Sequence, residues 1–147
     1  MGLVAASIVL LTYNQEQFVE EALLSLLNQD MDNLEIVVSD DHSSDSTWER
    51  IQKIADAYTG PKKVILSRNT TNLGIVDNYA AAVEKSSGGL IFMAAGDDIS
   101  LPNRCSLDPA TAKKCKKNRK FPKIGKNSKK QKNAFAFPPV DDMVAAR

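Results

Sequence analysis

Short apolar runs and helical-period stretches alternate along the first hundred residues. SIVLL at 7–11 is a nearly continuous apolar run, as expected of a parallel strand buried on both faces. TYN follows. Phe18, Val19, Ala22, Leu23, Leu26 and Leu27 then recur at helical spacing, with Asn14 and Gln17 placed as an N-terminal cap. LEIVV at 34–38 predicts a second strand, closed by Ser39, Asp40 and Asp41. Ser46 and Glu49 have capping-box spacing, and Trp48, Ile51, Ala55 and Tyr58 mark one face of the next helix, which Gly60 and Pro61 stop. KVILS at 63–67 predicts a third strand. RNTTNLG leads into a helix with Val76, Tyr79, Ala80 and Val83 on one face, and SSGG ends it. LIFMA at 90–94 predicts a fourth strand.

Strands therefore start near residues 7, 34, 63 and 90. That spacing predicts an α/β fold, a doubly wound and mostly parallel sheet in the order β-α-β-α-β-α-β. Right-handed crossovers then cover both faces with helices. The polar clusters TYN, SDD, RNTTNLG and GDD all fall just after strands. In open parallel sheets this edge is where ligands bind.

Beyond Arg104 the pattern stops. Residues 1–104 carry 7 Lys and Arg against 15 Asp and Glu, whereas residues 105–147 carry 12 against 3, so the net charge of +1 conceals an acidic body and a basic tail. Residues 109–133 hold ten lysines, no acid and no sustained apolar period, which reads as a solvated, disordered segment. The division predicts a folded unit over 1–104 and a lysine-rich tail over 105–147. AFAFPPV at 134–140 has two prolines that bar a regular central strand. Weak contact of the tail with an anionic surface is the alternative to a merely solvated segment, and no specific nucleic-acid partner is expected. No apolar run approaches the ~20 residues of a membrane span, the N-terminus lacks a secretory pattern, and Cys105 and Cys115 make neither a disulfide framework nor a four-ligand zinc site. The expected location is cytoplasmic, extending to a peripheral place at the inner membrane surface.

The candidate chemistry lies at the strand ends. Adjacent Asp97 and Asp98 disfavour joint ionisation unless a cation shares the site. A hard divalent ion, Mg²⁺ or Mn²⁺, takes carboxylate and phosphate oxygens together, and Gly96 would let backbone and ligand approach closely. A solvated turn is the alternative. Asp40 or Asp41 could accept hydrogen bonds from a base or ribose, or merely cap a turn. Tyr13 could stack on a base and Asn14 bond to it, or they could serve as core and cap. His42, the lone histidine, reads as a loop residue. The absence of GxGxxG after the first strand, of GxxxxGK[ST], and of any plausible Ser/His/Asp triad removes dinucleotide, phosphate-loop and serine-hydrolase readings.

The run from SIVLLTYNQEQFVEEALLSLLNQDMDNLEIVVSDDHSSDSTWERI through NLG to GDDISLPNR resembles the family 2 glycosyltransferases of the GT-A fold, continuously from about Ser7 to Arg104. The resemblance implies transfer of a sugar from a nucleotide diphosphate sugar, UDP-sugar above others, to an unknown acceptor, usually with inversion at the anomeric carbon. Thr12, Tyr13 and Asn14 match the family's first nucleotide-contacting segment, with Glu16 just beyond it. Asp41 matches the acid expected at the base, and Asn72 and Gly74 match the loop over the nucleoside. Asp97 and Asp98 match the DxD-type motif in a short form, Asp97 near the ribose and Asp98 on a Mn²⁺ or Mg²⁺ ion. The family's catalytic base lies in a second half that nothing after Arg104 resembles, so no base is assigned. The tail reads as a truncated or out-of-frame continuation. A fragment that binds nucleotide without transfer, or a polyanion-binding module built on the tail, are the alternatives.

Overall fold

A computed structural model describes residues 4–105. Four strands and three helices alternate: β1 Ala6–Thr12, α1 Val19–Leu27, β2 Leu34–Asp40, α2 Thr47–Ala57, β3 Lys63–Arg68, α3 Ile75–Glu84 and β4 Leu90–Ala95. All strand pairs are parallel, in the order β3-β2-β1-β4. This is the α/β arrangement that the alternating pattern predicts. The readings of the tail lie outside the described residues. Among those described, no helix is long and apolar enough to cross a membrane.

The period-two alternation of β1 and β2 divides the core. Ile8, Leu10, Ile36 and Val38 face α1 and α2, packing with Val19, Leu23, Leu26 and Ile51. Val9 and Val37 face the other way, against Ala82, Tyr79 and Val83 of α3. A helix of nine residues such as α1 is too short to hold itself in water. Each of its fully buried leucines contributes about 1.5–3 kcal/mol, so packing holds it.

Three local expectations differ from the structure. Asn14 does not cap α1: it sits at φ 49°, a turn over residues 15–18 intervenes, and Phe18 at the helix start is 52% exposed. Ser46 and Glu49 make no side-chain cap on α2. The buried face of α3 is centred on Asn78 and Ala82, leaving Val76 exposed, because hydrogen bonds draw the Asn78 amide inward.

The amino-terminal edge of the sheet is closed by one buried acid. Glu35 is fully buried and accepts from Ser7 Oγ (2.8 Å), Lys63 Nζ (2.8 Å), and the N–H and Oγ of Ser87 (both 2.7 Å). It thus ties β1, β2, β3 and the turn before β4 together. Burial pushes the Glu35 carboxyl up, but the hydrogen bonds of Lys63, Ser87 and Ser7 outweigh it and hold the group down at about 2.

Candidate functional site

The opposite edge gathers the polar clusters. Strand register aligns Thr12 of β1 with Asp40 of β2, and Asp40 with Arg68 of β3. The switch point of the sheet lies between β1 and β4, since α1 leaves β1 over one face and α3 reaches β4 over the other. Ligands of such sheets sit in the crevice beyond this point.

Thr12 is the junction. Its hydroxyl donates to Asp40 Oδ1 (3.0 Å), and its carbonyl accepts from the Asp41 N–H (2.9 Å). Gly96 donates its N–H to the Leu11 carbonyl (2.9 Å). A Cβ on Gly96 would press on Gln15 Oε1 and stand 2.9 Å from Thr12 Cγ2, so the close approach required here is of the protein's own β1 loop. The SDD and GDD segments thus both contact the end of β1 at Thr12 from either side.

The adjacent acids Asp40 and Asp41 do different work. Asp40 is fully buried, takes the hydroxyls of Thr12 and Ser43 and the Ser43 N–H (3.0 Å), and pairs with Arg68 Nε at 3.4 Å. Arg68 also donates to the Ser43 carbonyl (2.7 Å) and lies over the Trp48 ring, 5.7 Å from its centroid. Asp41 turns to the loop after β3. Its Oδ1 accepts from Asn69 Nδ2 and the Leu73 N–H, and its Oδ2 from the Gly74 N–H, all at 2.8 Å. Asn72 Oδ1 shares the Gly74 N–H at 3.1 Å. Gly74, at φ 82° and ψ 164°, holds a conformation essentially confined to glycine. Asp41, Asn72 and Gly74 are thus brought together.

The loop after β1 is pinned to the loop after β2. Asn14 donates its N–H to Ser43 Oγ (2.9 Å) and accepts the Ser44 N–H (2.8 Å). Glu16 accepts the Ser46 N–H (3.0 Å), taking the part that Glu49 plays in a capping box. Asp45 accepts the Thr47 N–H (2.9 Å) and the Glu16 N–H (3.2 Å). Burial raises the Asp45 carboxyl, and the bonds from Thr47 and Glu16 more than reverse this and lower it. A concavity of about 360 Å³ lies beside this loop, lined by residues 14–18 and Asp45. It lies off the switch point: Thr12, Asp41, Asp97 and Asp98 do not line it. Tyr13 is not core: it stands 49% exposed above the edge.

Asp97 and Asp98 are both exposed, and neither carboxylate makes a hydrogen bond or ion pair among the described residues. Among those residues no group of three His, Cys, Asp or Glu could hold a metal by itself. Two free carboxylates suit an ion of the Mg²⁺ class, which is bound by one or two acids with phosphate oxygens and water completing its shell. The residues present fit that role.

The sequence reading missed Asp40 as the structural acid, and Arg68, Asn69, Asn78 and Asp45. One signal was available for Asn78: it is a polar residue inside the apolar stretch of α3.

The sequence profile described as Glycosyl transferase family 2 matches residues 7–107. Abequosyltransferase RfbV of Salmonella typhimurium is 38% identical over 89 residues, 59% of this chain and 26% of that protein. The putative glycosyltransferase EpsE of Bacillus subtilis is 30% identical over 108 residues, 74% of this chain and 38% of that protein. Among solved structures, Staphylococcus aureus TarS 1–349 in complex with UDP-GlcNAc superposes with a TM-score of 0.62 at 27% identity, over 69% of this chain and 29% of that one. The mannosyltransferase PcManGT of Pyrobaculum calidifontis, in complex with GDP-Man and Mn²⁺, gives 0.62 at 24% identity, over 67% of this chain and 29% of that one, a likeness of fold. The chain spans about a quarter to two fifths of the length of these relatives. With the profile matching over two thirds of its length, on a GT-A-like sheet, the chain belongs to glycosyl transferase family 2.

Proposed function

We propose that the carboxyl edge of this sheet is the donor site of a glycosyltransferase, binding a nucleotide diphosphate sugar. The convergence of the TYN, SDD and GDD segments on Thr12 carries the reading, because it assembles three strand ends at the switch point. In this reading Asp41 receives the base, with Asn72 and Gly74 closing over the nucleoside. Thr12, Tyr13, Asn14 and Glu16 form its near wall, and Asp97 holds the ribose. Asp98 would hold Mn²⁺ or Mg²⁺. Such an ion supplies charge neutralisation to the departing diphosphate when bound. The protein's own contribution is to bind the donor and orient its anomeric carbon for in-line attack by an acceptor hydroxyl. UDP is the favoured nucleotide, supported by the UDP and UDP-GlcNAc complexes of TarS.

Calorimetric titration with UDP, with and without Mn²⁺, tests this. Binding should strengthen with the ion, and Asp98→Ala should remove at least about tenfold of that gain. Metal-independent affinity in both proteins would sink the assignment of Asp98. Release of UDP from a UDP-sugar then separates transfer from binding alone.

A further inference from the structure

The two exposed acids sit on a short bridge between two fixed points. Upstream, the Gly96 N–H is bonded to the Leu11 carbonyl of β1 (2.9 Å). Downstream, the Ser100 N–H donates to Ser25 Oγ on α1 (3.0 Å), and Ser100 is buried. Residues 97–99 form the free span between them. Among the described residues their one hydrogen bond is local, from the Asp98 N–H to the Ala95 carbonyl (3.1 Å). Packing does not hold the span either, since Ile99 is 67% exposed. Asp97 and Asp98 are therefore placed by the two ends of the bridge.

Ser25 is committed to this bond by its own helix. Its hydroxyl hydrogen goes to the Ala22 carbonyl (2.7 Å), so towards Ser100 it can only accept. The chain then runs between α1 and the outer edge of β4. Gln29, itself buried, donates to the Leu101 carbonyl (2.7 Å) and accepts the Cys105 N–H (3.3 Å). The Asp30 N–H bonds the Pro102 carbonyl (2.9 Å). Arg104 joins Ser100 Oγ (2.7 Å) to the Met93 carbonyl (2.6 Å). Arg104 thus holds Ser100 through a rotatable hydroxyl and from an exposed side chain, whereas Ser25 takes the backbone N–H that ends the bridge.

We infer that Ser25 is a positioning residue: it fixes the downstream end of the 97–99 bridge and so sets where Asp98 meets a divalent ion. The inference rests on the donor-site reading of Asp98. Without the Ser25 acceptor the Ser100 N–H turns to water and the bridge samples more conformers. An ion then has to order the bridge as it binds, which lowers affinity for the ion and leaves that for the nucleoside.

The test compares full-chain wild type, Ser25→Ala, Ser25→Thr, Gln29→Ala and Asp98→Ala. UDP affinity is measured with and without Mn²⁺, and amide hydrogen exchange at Asp98 is followed in the metal-free protein. Ser25→Ala should cut the Mn²⁺-dependent gain by about tenfold, the lower end of the loss when a group that orients a metal ligand is removed. It should leave metal-free UDP affinity unchanged and speed exchange at Asp98. Ser25→Thr keeps the acceptor oxygen and should restore both. Gln29→Ala releases residues 101–105 beyond the anchor and should lower Tm while keeping the gain. Equal loss of the gain in folded Ser25→Ala and Gln29→Ala would show a merely structural role and overturn the inference. An Asp98 amide that exchanges no faster in Ser25→Ala overturns it as well. Where Gln29→Ala fails to fold, failure of Ser25→Thr to restore the gain overturns it instead. A gain that Asp98→Ala removes and Ser25→Ala keeps overturns this inference alone. A wild type without the gain, or a gain that Asp98→Ala leaves intact, overturns the metal role of Asp98 and this inference with it.

Discussion

Single residues show where reading the chain succeeds and where it cannot. Asp41, after β2, lies more than thirty residues before Asn72 and Gly74, yet its carboxylate meets their loop after β3, so the structure brings together three residues that the resemblance grouped. Asp40 was indistinguishable from Asp41 by type, and only the fold tells them apart, one neutralised by Arg68 and the other held by loop N–H groups. Glu35 had no signal at all. An acid inside LEIVV looks like an interruption of a strand, and its partners Ser7, Lys63 and Ser87 lie at distant positions. Its effect is testable. The folded carboxyl titrates at about 2 against an ordinary 4.5, so the folded state binds fewer protons than the unfolded one between those values. Its stabilisation is therefore complete above about pH 4.5 and is lost as pH falls towards 2. Glu35→Gln should cost about 1–2 kcal/mol at pH 7. The cost is moderate because the Lys63 side chain is 57% exposed and its ammonium returns to water. Urea melts across pH should show the gap between wild type and variant closing as pH drops through that window.

At the scale of elements, the strands and the starts of α2 and α3 were legible, whereas the start of α1 and the bonds that close the helix starts were not. All four strands appear within two residues of the apolar runs, because a strand buried in a parallel sheet declares itself locally. Helix starts depend here on partners from other loops. The capping-box spacing of Ser46 and Glu49 is present, but the Ser46 N–H is taken by Glu16 and the Thr47 N–H by Asp45. Thr47 in turn accepts the Gln15 N–H through its hydroxyl (2.8 Å). The start of α2 and the loop carrying Tyr13, Asn14 and Glu16 are thus one unit. Asp45→Ala should destabilise the protein by about 1 kcal/mol, as loss of a helix cap does. It should also raise hydrogen exchange at Gln15 and Glu16 as well as at Thr47. Exchange confined to Thr47 would show the two loops to be independent. The Asp45 carboxyl is lowered by these bonds, so its contribution is present at neutral pH and fades as pH falls below the ordinary carboxylate range.

At the scale of the whole described fold, the sheet separates a stabilising edge from the edge proposed to bind. Glu35 and its partners close the amino edge, while Thr12, Asp41 and Asp98 occupy the carboxyl edge. Ser7 and Thr12 are five residues apart along β1, roughly 16 Å at ~3.3 Å per residue. Sites that far apart with no shared partner act additively to within about 0.5 kcal/mol. The order β3-β2-β1-β4 makes this division useful, since it brings β1 and the GDD segment to neighbouring strands and places the proposed donor site across the switch point. The crossover rule alone admits several orders, and this one follows from α1 and α2 covering one face and α3 the other, which is why strand positions were readable one by one and the crevice was not. A ligand bound there bridges the ends of β1, β2 and β4 and should stabilise the fold as a unit. UDP with Mn²⁺ at a hundredfold excess over its dissociation constant should add about 2.7 kcal/mol, a rise in Tm of roughly 10 °C or more for a folded unit of this size. Glu35→Gln should lower the starting Tm and leave that ligand-induced stabilisation unchanged. Asp98→Ala should do the reverse, keeping the starting Tm and losing the Mn²⁺-dependent part of the rise. If both substitutions diminished the ligand shift alike, the two edges would be coupled through the sheet, and the additive picture of this molecule would fail.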